Sequence, residues 1–327
     1  MNVLVTGGAG LVGSHLIDVL MAQGNRVICV DDFSSGRIEN LSDHVGDSQF
    51  EVIKQDIRQP IDLRGDRIER IYNLACPASP KDYRERPIET LLTCIVGVHN
   101  LLELALRTGA RMLHVSSSEV YGDATVHPQP ESYRGCVDQL GDRACYEEGK
   151  RAAETLCKDY STQKGVDLRI VRPFNVYGPR MAERDGRVIP TFVAQALASD
   201  NITVFGDGRQ TRSFCYCADA VNAVVQWMET DADYMPINIG NPDEIPIIEL
   251  AHLIKAKTGS RSRIVHVDSA KAFPGSLDIQ RRKPDIHTVH SRTGWLPTTS
   301  LDAGLDLMIA HFRAIQTPAV GPELADL

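Results

Sequence analysis

Three apolar residues, Val3-Leu4-Val5, run straight into Thr6-Gly7-Gly8-Ala9-Gly10-Leu11-Val12-Gly13, and that junction restricts the fold more than any other stretch. A short β-branched run reads as a buried parallel strand. After the glycines, Leu11, Val12, His15, Leu16, Val19 and Leu20 recur at helical spacing. Gly8, Gly10 and Gly13 fit the G-x-G-x-x-G pattern; Gly7, Gly10 and Gly13 fit the variant with two intervening residues. Strand, glycine turn and helix in that order cradle a dinucleotide. The glycines permit the turn, let the backbone approach a pyrophosphate and seat the helix on the strand. Arg26–Val30 reads as the second strand, ended by Asp31 and Asp32, with Asp31 18 residues beyond Gly13. A carboxylate there accepts from the adenosine ribose hydroxyls and repels a 2′-phosphate, so NAD is expected over NADP.

Strands alternate with helical segments through much of the remaining chain. Phe50–Lys54 is an alternating strand, and Asp56-Ile57 beyond it is a pair suited to flank an adenine. Arg70–Ala75 reads as a strand whose end, with Leu74 and Ala75, opens into the loop Cys76–Pro80, where such a sheet places ligands. Ile88–Arg107 is a long amphipathic segment, and the strand Arg111–Val115 runs into Ser116-Ser117-Ser118-Glu119. Leu168–Arg172 leads to Pro173-Phe174-Asn175, after which the alternation loosens. Asp219–Glu229, Ile245–Thr258 and Leu301–Ile315 read as helices, with the strand Pro236–Gly240 between the first two. The expected fold is α/β, a Rossmann doubly wound parallel sheet with a smaller C-terminal substrate domain. Residues 1–175, with 213–240 returning to it, form the NAD-binding part; 176–212 and 241–315 form the other, and 316–327 a loose tail.

A net charge of −8 argues against nucleic acid or an anionic membrane as a bulk partner, so an anionic ligand must be met by a few placed arginines. Arg187 and Arg212 stand out, each in a polar cluster near glycine. Eight scattered cysteines without paired zinc spacing read as thiols in a reducing cytoplasm, and no metal is expected. The N-terminal residues lack a basic region and read as a strand, not a signal peptide. No apolar run is expected to approach the roughly 20 residues of a membrane span.

Within the helical stretch Arg143–Tyr160, Tyr146 and Lys150 lie four residues apart, one turn from each other on one face. An ammonium beside a phenol favours the phenolate, so Lys150 is expected to lower the Tyr146 pKa and make it a base for a sugar hydroxyl. Taken alone, the pair is also what a solvated helix carries by chance.

Together these residues resemble the extended short-chain dehydrogenase/reductase superfamily, from about Asn2 to about Phe312. Four stretches look specifically like the UDP-glucuronate decarboxylases: Leu74–Pro80, Ser118–Asp123, Arg143–Arg151 and Arg282-Lys283-Pro284-Asp285-Ile286. The resemblance implies that UDP-glucuronate is oxidised at C4 by NAD, loses carbon dioxide and is reduced to UDP-xylose, with NAD regenerated. It assigns the C4 proton to Tyr146, held by Lys150, the C4 oxygen to Ser117 beside Ser118, and the C5 and C6 end to Glu119 and Arg282. Pro80, Asn175, Arg180, Arg187 and Arg212 match contacts to the rest of the nucleotide sugar. Two departures stand out: the family usually has Thr-Asn where this chain has Thr93-Cys94, with a Thr at Val98, and Arg172-Pro173-Phe174 looks like the sister epimerases. Two other readings share these residues, a UDP-uronate 4-epimerase that keeps the carboxylate and a non-catalytic NAD-binding regulator. Superfamily members commonly dimerise through the helices corresponding to Ile88–Arg107 and Arg143–Lys164, so a homodimer is expected. Those segments carry Leu91, Leu92, Ile95, Leu101, Leu102, Ala152, Leu156 and Tyr160, more apolar residues than one buried stripe needs.

Overall fold

In the computed structural model, which describes residues 1–63, 65, 67–268 and 279–316, seven parallel strands form one sheet. In chain order they are β1 (Asn2–Thr6), β2 (Arg26–Asp31), β3 (Phe50–Lys54), β4 (Arg70–Asn73), β5 (Arg111–Val115), β6 (Leu168–Pro173) and, much later, β11 (Pro236–Ile239). Their spatial order is β11-β6-β5-β4-β1-β2-β3, the doubly wound arrangement whose strand order reverses beside β1. Side chains alternate across the sheet. Val3, Val5, Val27, Cys29, Tyr72 and Leu113 pack on one face with helices α1 (Leu11–Ala22) and α7 (Cys217–Met228), and α9 (His287–Thr293) adds Val289 to the same core. Leu4, Ile28, Val30, Ile71 and Met112 pack on the other, against α4 (Val98–Thr108) and α5 (Ala144–Lys164). α5 runs to Lys164, four residues beyond the expected end at Tyr160, and Gly165 ends it in the left-handed conformation at φ 72°.

The segment expected as one helix from Ile88 to Arg107 is three pieces: α3 (Pro87–Leu92), a π-helical turn (Thr93–Gly97) and α4. The turn brings Cys94 and Gly97 inward, and Gly97 lies so close under Ile57 that an added Cβ would sit 2.5 Å from its Cδ1. Pro87–Thr108, 22 residues that include an 18-residue window of mean hydropathy 1.4, is by length and composition apolar enough to cross a membrane, which corrects the expectation that no run approaches that length. Its Val98, Leu101, Leu102 and Ala105 belong to the core. The loop expected after Cys76 also holds a short helix, α2 (Pro80–Glu85), started by Ser79, whose hydroxyl accepts from the Asp82 amide at 3.1 Å.

A separate core gathers Phe192, Val193, Leu250, Ile254, Leu305, Met308 and Phe312 from α6 (Val188–Leu197), α8 (Ile247–Thr258) and α10 (Leu301–Gln316). Short strands frame it: β7 (Val176–Tyr177) pairs with β10 (Cys215–Tyr216), and β8 (Ile202–Phe205) with β13 (Ile264–Val267). A third set joins β9 (Thr211–Ser213) to β12 (Glu244–Pro246) and β14 (Arg281–Arg282). Glu244–Pro246 is therefore a strand where a helix was expected to begin at Ile245; Pro246 caps α8 in extended backbone. The tail expected to be loose, from Thr317, lies outside the described residues.

Candidate active site

The glycine turn is built for close approach. Gly7 has φ +72°, and a Cβ there would lie 2.7 Å from the Leu74 and Ala75 backbone; a Cβ on Gly13 would lie 2.2 Å from the Gly7 carbonyl oxygen. Both contacts are with backbone, so neither position takes a side chain without moving the turn. Beyond it α1 starts at Gly10 with no side-chain cap and no acidic residue in its first turn, which leaves its amides to a phosphate. Asp31 completes this end: its carboxylate accepts from the Ala9 and Phe33 amides at 2.9 Å each. Burial raises its pKa, opposed by those two amides. Asp31, Asp32, Asp56, Ile57, Leu74 and Ala75 surround one pocket of about 120 Å³. Within it Asp56 is paired with Arg58 at 2.5 Å. These residues fit an adenosine diphosphate carrying an unphosphorylated ribose. In Asp31→Ala the preference for NAD over NADP is expected to shrink, measured by titration with both; equal affinity in the unaltered protein would remove the assignment.

A second cavity, about 510 Å³, shares Gly7, Gly10, Leu74 and Cys76 with the first and reaches Leu11, Val12, Pro80, Ser117, Ser118, Glu119, Tyr146, Lys150, Asn175, Arg180, Arg187, Arg212 and Arg282. Tyr146 and Lys150 share the inward face of α5, as their spacing requires, yet their electrostatics differ from the expectation. The Lys150 ammonium donates to the Val115 carbonyl at 2.8 Å and sits 5.8 Å from the Tyr146 ring centre. Burial pushes the Tyr146 phenol well above its ordinary pKa, with Cys76 acting the same way, while a hydrogen bond with Ser117 and the Arg187 charge pull it down. Desolvation outweighs charge here because the ring is enclosed, stacked at 5.2 Å on Tyr83.

Glu119 is held from two sides. Arg143, just before α5, donates to its Oε2, and Arg282, on β14, approaches the same oxygen at 3.4 Å while donating to the Ser118 carbonyl at 2.7 Å. Arg143 also pairs with Glu147 at 3.0 Å. Arg282 is 1% exposed; burial, with the Arg143 charge, lowers its pKa to about 10. Arg143 was absent from the residues singled out in the sequence, although its place three residues before Tyr146 in the same motif was the available signal.

The remaining arginines differ in how they are engaged. Arg187 is chelated by Asp185 at 2.5 and 2.7 Å beside Tyr146. Arg180 is tied to Asp18 at 2.7 Å and Asp43 at 3.4 Å, so it braces α1 as well as bordering the cavity. Arg212 donates to the Thr211 carbonyl at 2.8 Å, and Asn175 to the Ser213 carbonyl at 2.9 Å. Among the described residues no cluster of three or more His, Cys, Asp or Glu is placed to hold a metal ion.

A glycine turn at a helix start, an acid at the end of β2 and a Tyr-x-x-x-Lys face on α5 define a nucleotide-binding oxidoreductase-type site. Residues 3–240 match the NAD dependent epimerase/dehydratase family, and the chain belongs to it. More particularly, it is 47% identical to UDP-glucuronic acid decarboxylase 1 of Xenopus tropicalis over 312 residues, 95% of this chain and 72% of that protein. Among solved structures, UDP-glucose 4-epimerase of Thermotoga maritima superposes with a TM-score of 0.87 at 30% identity, covering 97% of this chain and all of that one. UDP-glucuronic acid 4-epimerase of Bacillus cereus, solved with UDP-glucuronic acid and NAD, superposes at 0.83 with 26% identity, over 96% of this chain and all of that one.

Proposed function

We propose that this chain converts UDP-glucuronate to UDP-xylose and carbon dioxide, using NAD that is restored in each turnover. The observation that carries the reading is the convergence of buried Arg282 and half-buried Arg143 on Glu119 in the cavity that holds Tyr146. A base for a sugar hydroxyl and a guanidinium pair for an anionic end then share one chamber. The 47% identity to a named UDP-glucuronic acid decarboxylase supports the same choice over a 4-epimerase.

When bound, NAD supplies a reversible acceptor for the hydride on C4. Tyr146 removes the C4 hydroxyl proton, and Ser117 holds the oxygen as it becomes a ketone. Lys150, fixed by the Val115 carbonyl, keeps a positive charge beneath the phenol ring. The ketone is β to the C6 carboxylate, so the C5–C6 bond can break with its electrons passing into the C4 carbonyl as an enolate. Arg282 orients the carboxylate, and Glu119 serves proton transfer at C5. Incubation with UDP-glucuronate and NAD is expected to yield a nucleotide sugar lighter by carbon dioxide; recovery of a product of unchanged mass would establish an epimerase instead.

We further propose that the chain is a homodimer. Ile88, Leu92 and Val96, four residues apart along the α3 side of Pro87–Thr108, are 71%, 40% and 37% exposed, an apolar ridge that a second copy would cover. Leu101 and Leu102 face the core and do not contribute. Sedimentation at micromolar concentration is expected to give twice the 36.0 kDa chain mass, and a lone 36.0 kDa species would contradict it.

A further inference from the structure

Two thiols meet in the wall between the two pockets. Cys76 follows β4 and borders both of them. Cys94 lies in the π-helical turn, 1% exposed, with its Sγ 3.3 Å from that of Cys76. Both are free, and both are near α5: a Cβ on Gly149 would sit 3.0 Å from Cys94 Cβ and 3.1 Å from its Sγ. Gly149 is the residue before Lys150 and one turn from Tyr146, so the pair underlies the catalytic face of that helix. A mid-helix π turn is a common place for function, and this one aims a thiol at another thiol.

We propose that Cys76 and Cys94 are an oxidation site, a dithiol that a hydroperoxide converts to a disulfide and that thereby shuts down the reaction. The loss of turnover rests on the activity proposed above; the site itself does not. The hydrogen bond shared with Cys76 holds Cys94 below the usual thiol pKa, and the Lys150 ammonium acts in the same direction. One proton between two sulfurs leaves a thiolate available for attack. At rest the proton stays on Cys76, whose thiol the shared hydrogen bond and burial push well above its usual pKa. Of the two only Cys76 borders the pockets, so it meets the peroxide and passes that proton across the 3.3 Å contact to Cys94 as it attacks. Its sulfur takes one oxygen as the O–O bond breaks, and the other oxygen leaves as hydroxide. Cys94 then gives up its proton and attacks the sulfur of the sulfenic acid, expelling a second hydroxide. With the protons released, the balance is two thiols and one hydrogen peroxide to one disulfide and two waters.

Closing 3.3 Å to the roughly 2.05 Å of a disulfide moves the sulfurs together by more than about 1 Å. That motion is applied to the π turn packed on Gly149 and, through the residue before Cys76, to the Leu74–Ala75 backbone packed on Gly7. Misplacement on that scale at a reacting centre costs about a hundredfold in rate.

The test uses the full chain, with exposed Cys136 changed to Ser to remove background, reduced and then treated with stoichiometric hydrogen peroxide. Peptide mass mapping without reductant is expected to find Cys76 linked to Cys94 with loss of two hydrogens, turnover down about a hundredfold, and recovery of both in dithiothreitol. In Cys94→Ser the link should be absent and Cys76 should instead take the sulfenic-acid reagent dimedone. A link from Cys76 to Cys145, or no link at all, would overturn the site. Linked protein with unchanged turnover would overturn the shutdown. A reduced protein inactive on UDP-glucuronate would count against the activity alone, because the mapping still decides the dithiol.

Discussion

Tyr146→Phe forms no NADH and releases no carbon dioxide above a residue about 10²–10⁴-fold below the unaltered protein, the usual cost of removing a general base. The change deletes one oxygen from a ring that keeps its stacking on Tyr83, so the protein should fold as before. Both readouts fall together because oxidation at C4 precedes loss of the carboxylate. The pH dependence comes from the enclosed phenol. Burial raises its pKa, so the neutral form dominates at neutral pH and the phenolate fraction grows with each increment of pH below that value. Single-turnover oxidation should therefore climb as pH rises through the neutral and mildly alkaline range, and the climb should disappear in Tyr146→Phe. A flat profile in the unaltered protein, with the variant equally slow, would assign the proton to another group.

The electrostatic sign at Tyr146 marks where sequence reasoning stops. Spacing of four within a helix puts Tyr146 and Lys150 on one face, and they are there, because helical periodicity is a local property. Whether the ammonium or the burial governs the phenol depends on Tyr83, Cys76, Ser117 and Arg187, which come from four other places in the chain. The nucleotide end was legible for the opposite reason. Gly7, Gly10, Gly13 and Asp31 lie within one strand-helix-strand unit, and each is required by a backbone approach or a single carboxylate position. The small strands β9, β12 and β14 left no trace, since two or three residues cannot show a period. The short helix after Cys76 is a different kind of miss. Ser79-Pro80 with Asp82 is a helix start written in capping chemistry, in a stretch whose prolines and serine otherwise read as loop.

Arg282→Ala should separate bond breaking from oxidation. Arg282 lies 163 residues from Glu119 in sequence, yet approaches its carboxylate at 3.4 Å and holds the Ser118 carbonyl at 2.7 Å. In the proposed reaction its guanidinium serves the anionic end of the sugar, while Tyr146 and Ser117 serve C4. Removing a hydrogen bond to a charged group costs about 1.5–3 kcal/mol, which converts to a loss of about 10- to 150-fold. That loss should fall on carbon dioxide release, with NADH formed faster than carbon dioxide is trapped in a single turnover. Arg282→Lys keeps the charge without the planar fork, so it should recover part of the rate if charge matters and little if bidentate geometry does. A urea midpoint measured alongside shows whether either variant has lost its fold, since Arg282 also braces the Ser118 backbone. If Arg282→Ala stays folded and releases carbon dioxide as fast as the unaltered protein, the guanidinium only secures the Ser118–Glu119 turn. The anionic end of the substrate would then have to be met by Arg143, the other guanidinium on Glu119.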